Sequence, residues 1–180
     1  LQNKNIFLLS IYLVIFIVLV TIVTIPDELK SVDRTIEFSN IVPVNKIQIF
    51  NLIADIEKYP LIFPDTFTEI ELLEKSNNSF KAFETAKESG IKKTFEIQHD
   101  LIPFESHKIT VLDGDARGTS IVIWFDDVDE NNTKISTKLN LQLKGILVPF
   151  GFLPDRNIEH AFDTVLKGFI EYLETDHVLK

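Results

Sequence analysis

Residues 41–64 read IVPVNKIQIFNLIADIEKYPLIFP, and the punctuation of this stretch decides the fold. Ile41 and Val42 end an alternating, β-branched run over 34–42 that includes Thr35, Ile36, Glu37 and Phe38, the pattern of a strand. Pro43 ends that strand and can open a helix at its first turn. From 44 to 56 the apolar residues Ile47, Phe50, Ile53 and Ala54 recur at helical spacing. Pro60 and Pro64 then break residues 55–64 into a second short helix or turn. The chain therefore opens with one strand and two short helices.

Downstream of Asp65 the period changes to two and stays there. Strands are predicted over 67–75, 79–88, 91–102, 106–113, 119–128 and 133–144. Their separators carry turn chemistry: Ser76-Asn77-Asn78, Ser89-Gly90, Asp113-Gly114-Asp115, and 129–132. Short connections between consecutive strands make an antiparallel meander. Residues 145–154 form an apolar Gly/Pro loop. Residues 155–174 form an amphipathic helix, with Ile158, Phe162, Val165, Phe169 and Leu173 on one stripe and Asp155 as N-cap.

The class is α+β. A seven-stranded antiparallel sheet with one apolar face needs a cover, and the closing helix supplies it. Strong twist curls the sheet around that helix, and a curled sheet closed by one helix leaves an apolar space between them.

The stretch Ile41-Val42-Pro43-Val44, then Phe50-Asn51-Leu52-Ile53-Ala54-Asp55-Ile56-Glu57-Lys58-Tyr59-Pro60 and Pro64, resembles the opening of the START-like (SRPBCC) superfamily. That group includes polyketide cyclase/dehydrase-like and coenzyme-Q-binding-like proteins. The closing helix after an apolar loop is similar to the same family, so the resemblance covers roughly residues 34–174. It implies a helix-grip fold with a hydrophobic ligand cavity. It implies no single activity, because function must be argued from the site.

Working outward to the N-terminus, residues 6–25 (IFLLSIYLVIFIVLVTIVTI) hold 17 apolar side chains out of 20 and no charge. At about 1.5 Å per residue this run matches the hydrocarbon thickness of a bilayer, and Pro26 follows where a helix should stop. A cleavable signal would be shorter and end on small residues, whereas β-branched residues fill 21–25. The expected organisation is an anchor over 1–26, a linker over 27–33, a ligand-binding domain over 34–175 and a tail over 176–180. Lys4 on one side, against Lys30 and Arg34 on the other, leaves the orientation of a single-pass protein open. The sequons at Asn77 and Asn131 tilt it slightly towards an extracytoplasmic domain, although Asn-rich turns are common for backbone reasons alone.

The formal net charge of the whole chain is -9. Residues 26–180 hold all 27 acidic and 17 of the 18 basic residues, so that part carries -10. This balance lacks the basic footprint of a nucleic-acid binder and makes electrostatic docking on anionic lipid unfavourable. With no cysteine in the chain, disulfides, thiol nucleophiles and iron–sulfur clusters are excluded. His99, His107, His160 and His177 lack metal-ligand spacing, and no nucleotide loop or G-x-S-x-G elbow occurs. No cofactor or metal is expected.

Candidate ligand contacts follow from strand parity. On 91–102, Phe95, Ile97, His99 and Leu101 share one face. His99 is there as a polar contact, or an acid or base, inside the cavity, or simply as a histidine at the sheet edge or one satisfied by a backbone carbonyl. On 133–144, Thr137 is the polar member of the apolar face that includes Leu139, and it either bonds a ligand or fills a β-branched position. Trp124 lies on a strand apolar on both parities and so lines a pocket or belongs to a strand covered on both sides. Phe150 and Phe152 form a lid that also touches the bilayer, or a loop packed on the closing helix. Phe162, Val165 and Phe169 line the helix side. The expected function is membrane-anchored binding or transport of a hydrophobic small molecule such as a lipid, quinone or isoprenoid. The alternatives are a cyclase/dehydratase-type enzyme on an apolar substrate, using His99, and a non-catalytic structural or partner-binding envelope protein.

Overall fold

The computed structural model describes residues 31–88 and 91–178. Strand β1 spans Ser31–Val42 and is followed by helix α1 (Lys46–Ala54), a 3-10 turn (Ile56–Lys58) and helix α2 (Tyr59–Ile62). Five strands follow in succession: β2 (Phe67–Lys75), β3 (Ser79–Glu88), β4 (Ile91–Ile102), β5 (Ser106–Val111) and β6 (Ser120–Asp127). Strand β7 (Thr133–Lys144), a 3-10 segment (Gly145–Phe152) and helix α3 (Asp155–Val178) follow. The sheet is antiparallel throughout, in the order β1-β7-β6-β5-β4-β3-β2. This is the helix-grip arrangement: one curled sheet and one long helix across it.

The element order matches the expectation, with local differences. β1 starts at Ser31, where Ser31 pairs with Lys144, so residues 31–33 extend the sheet rather than link to it. Pro43 is not the first residue of α1. Asn45 caps the helix instead: its side chain accepts from the Ile47 N–H at 2.9 Å and donates to the Glu130 carbonyl at 3.0 Å. That start buries Ile49, Phe50, Leu52 and Ile53 and leaves Ile47 exposed, which corrects the stripe expected through Ile47. β5 ends at Val111 because Gly114–Ala116 forms its own 3-10 turn. Helix α3 runs to Val178.

α1 and α2 carry the chain from one sheet edge to the other and close one half of the grip. Their core is aromatic. Tyr59 packs on Phe169 and Phe67 at ring-centroid distances of 5.5 and 5.2 Å, and Phe50 packs on Phe125 at 5.3 Å. Tyr59 also donates to the Ile53 carbonyl at 2.7 Å, so its hydroxyl is satisfied where it is buried. Gly168 lets α3 come close here: a Cβ at that position would stand 2.4 Å from the Phe63 ring.

Among the described residues no helix is long and apolar enough to cross a membrane. The run over 6–25 lies outside them.

Candidate functional site

The register fixes which side chains point at α3. Phe38 pairs with Thr137, Thr137 with Ile123, Ile123 with His107, and His107 with Leu101, so these five form one row across the concave face. The next row runs Ile36, Leu139, Ile121, Ile109, His99, Phe80. Towards α1 the concave face is sealed, with Phe125 3% and Ile135 0% exposed. On the other side it is not. Ile109, Ile121, Val111 and Phe95 face inward yet are only partly buried, as are Phe162 and Val165 on α3. Ile109 and Ile121 belong to strands in the middle of the sheet, so an edge does not account for their exposure. The principal neighbours of α3 are β1, α1 and α2, and Ile109, Ile121, Phe162 and Val165 pack against the buried cluster at its partly exposed margin.

A buried polar chain crosses the floor of this region. His99 Nε2 lies 2.7 Å from Glu84 Oε1, and His99 Nδ1 lies 2.9 Å from His107 Nε2. The three residues are 5%, 1% and 0% exposed. The register puts Glu84 opposite Phe95, four residues along from the partner of His99. Curl of the sheet makes inward side chains converge, and Ala82, between Phe80 and Glu84 on the same face, leaves room for the contact over its methyl. Phe80 stacks on the His99 ring at 4.5 Å and 10°.

The hydrogen-bond directions in this chain are linked. In the tautomer with His99 Nε2–H donating to the Glu84 carboxylate and a neutral His99 ring, His99 Nδ1 accepts from His107 Nε2–H and His107 Nδ1 carries a lone pair; the opposite sense, with His99 Nδ1–H donating to His107 Nε2, fits the same distances. His107 Nδ1 and Thr137 Oγ1, in the same row, are buried without a hydrogen-bond partner. Burial, with His99 beside it, pushes the His107 imidazole down to about 3, so this ring is neutral near pH 7. Burial first, then the Glu84 and Asp55 carboxylates, holds the Tyr59 hydroxyl protonated far above the usual range. No three acidic or histidine side chains among the described residues form a metal-holding group, and the His99 ring nitrogens are both engaged by protein partners.

The expected contacts divide accordingly. Phe95, Ile97, His99, Leu101, Thr137 and Leu139 all lie at inward positions of the sheet, and Leu101 packs in the cluster that includes Phe162, Val165 and Phe169 of α3. Trp124 does not: it pairs with Ser136 on the outer face, between inward Ile123 and Phe125, and is 40% exposed. Phe150 and Phe152, on the 3-10 segment between β7 and α3, are 54% and 59% exposed. Thr133, buried and donating to the Val44 carbonyl at 2.7 Å, is a second inward polar residue on β7. Parity reasoning missed Glu84 and His107. The available signal was a carboxylate at the inward parity of Phe80, Ala82 and Glu84, and a histidine in phase with Ile109 and Val111.

The profile described as polyketide cyclase / dehydrase and lipid transport matches residues 42–163. The chain belongs to this family. Among solved structures it resembles the Zhui aromatase/cyclase of Streptomyces sp. R1128, with a TM-score of 0.58 and 17% identity over 77% of this chain and 87% of that one. It also resembles a START superfamily protein from Mycobacterium smegmatis, with a TM-score of 0.58 and 15% identity over 81% and 99%. These likenesses concern the fold. A curated relative, the ribosome association toxin RatA of Vibrio cholerae, is 26% identical over 124 residues, 69% of this chain and 83% of its own length.

Proposed function

We propose that this family member binds an apolar small molecule, of the lipid, quinone or isoprenoid kind, between its sheet and α3 while tethered to a membrane by residues 6–25. The carrying observation is the partial exposure of Ile109 and Ile121, inward residues of central strands beneath the closing helix. Apolar space enclosed on several sides with a few fixed polar groups is how small-molecule sites are built. A tether keeps such a space at high effective concentration beside a lipid reservoir. The -10 charge of residues 26–180 weighs against a ribosomal RNA surface. Native mass spectrometry of the detergent-released full chain tests the reading. An apolar adduct is expected, and a bare mass that persists after incubation with total lipid extract would contradict it.

A second reading is acid–base chemistry on the bound molecule, favoured by the unpartnered His107 Nδ1 at the end of the Glu84–His99–His107 chain. It moves the reactive role from His99, whose two ring nitrogens are engaged, to His107. His107 Nδ1 takes a proton from a ligand hydroxyl, His107 Nε2 passes one to His99 Nδ1, and His99 Nε2 passes one to Glu84. With 1-naphthol as probe, the bound naphtholate absorption should appear in the wild type and vanish in Glu84→Gln. Binding with the neutral absorption alone would remove this reading and leave the first intact.

A further inference from the structure

Among the described residues outside the grip, the largest concentration of exposed apolar side chains on one short segment is at residues 146–153. Ile146 is 76% exposed, Phe150 54%, Phe152 59% and Leu153 39%. The 3-10 segment Gly145–Phe152 (GILVPFGF) carries no polar side chain.

The segment is held outward rather than left to find cover. Arg34 donates to the Gly151 and Leu153 carbonyls at 2.8 and 2.6 Å and pairs with Asp155. Val148 is buried and serves as the inward anchor. Gly151 sits so close to β1 that a Cβ would stand 2.6 Å from Val32. The backbone is thus fixed at both carbonyls and at its tightest approach, with the four large apolar side chains directed at solvent. A patch of this kind marks a contact surface.

The chain outside the described residues indicates the occupant. β1 begins at Ser31, paired with Lys144, the residue that leads into the segment. The 20-residue apolar run ends at Ile25, and the five steps from Pro26 to Ser31 span at most roughly 17 Å when extended. The end of the domain bearing the ridge is therefore the end to which that run is attached. Lys144 and Arg156, both exposed, flank the ridge and can reach lipid phosphates while their stems cover apolar surface.

We propose that residues 146–153 dock on a lipid bilayer, inserting Ile146, Phe150 and Phe152 at the headgroup–acyl boundary. The ridge then faces the domain's grip towards the membrane that supplies the ligand, which rests on the tethering in the proposed function. The acidic charge of the domain makes apolar insertion, not attraction to anionic lipid, the mode of contact.

The test uses the full chain, with Trp124→Phe and Phe152→Trp, in vesicles of phosphatidylcholine brominated along the acyl chains. Ile146→Trp serves as a second probe position, and the unaltered chain reports Trp124 on the outer face of the sheet. The indole introduced by Phe152→Trp should lose about half or more of its emission, since interfacial insertion reaches about 5–10 Å. The emission of Trp124 should change little. Flotation of the chain with vesicles and no quenching at either introduced indole would overturn the docking and leave the tether standing. Failure to float would overturn the tether and the docking together.

Discussion

Glu84 is a carboxylate whose principal visible partner is one imidazole, His99, in a site 5% exposed or less. Replacing it by Leu leaves His99 Nε2 without its acceptor, and an unpaired buried group costs about 1–3 kcal/mol. Urea unfolding of Glu84→Leu should show a loss of that size, and a shift below about 0.5 kcal/mol would mean that the contact carries little. His107 makes a separate prediction. Its folded value, about 3, lies below the unfolded value of 6.5, so the unfolded chain takes up a proton that the folded one refuses. The stability linked to neutral His107 is fully present above pH 6.5 and is lost as pH falls towards about 3, at up to ~1.4 kcal/mol per pH unit. His107→Gln should flatten the stability profile over that window relative to wild type, while losses from carboxylates common to both cancel. Parallel profiles would contradict this. That His99 points inward was legible from its phase with Phe95, Ile97 and Leu101. Its partners were not, because Glu84 reaches it through curvature that strand parity does not encode.

The elements were legible where punctuation was strong. Pro43, Pro60 in the first turn of α2 and the Asn-rich hairpins bracket the strands and helices closely. Trp124 was not, since a strand apolar on both parities has no phase. Its neighbours Ile123 and Phe125, 3% exposed each, decide that it faces out. Among the contacts that seat the 3-10 segment Gly145–Phe152, the tightest approach is Gly151 on Val32. Gly151→Ala puts a methyl where Val32, stiff at χ1 in a strand, already stands. It should lower stability by about 1–3 kcal/mol, an overpacking cost, read as a drop in thermal midpoint. An unchanged midpoint would mean that the segment is not seated on β1 as described.

For the whole molecule, the two halves of the grip play different parts. The half under α1 and α2 is sealed by Phe50, Phe125, Tyr59 and Phe169 and holds the fold together. The half under the start of α3 keeps apolar surface accessible, and the polar chain from Glu84 to His107 lies along their boundary. The measurement that tests this division most directly is methyl NMR of the full chain in detergent micelles, titrated with 1-decanol. The account predicts shifts at Ile109, Ile121 and Val165, with Ile49 and Ile135 of the sealed core unmoved. Shifts confined to the exposed methyls of Ile41 and Ile47, or none within the grip at saturation, would contradict it.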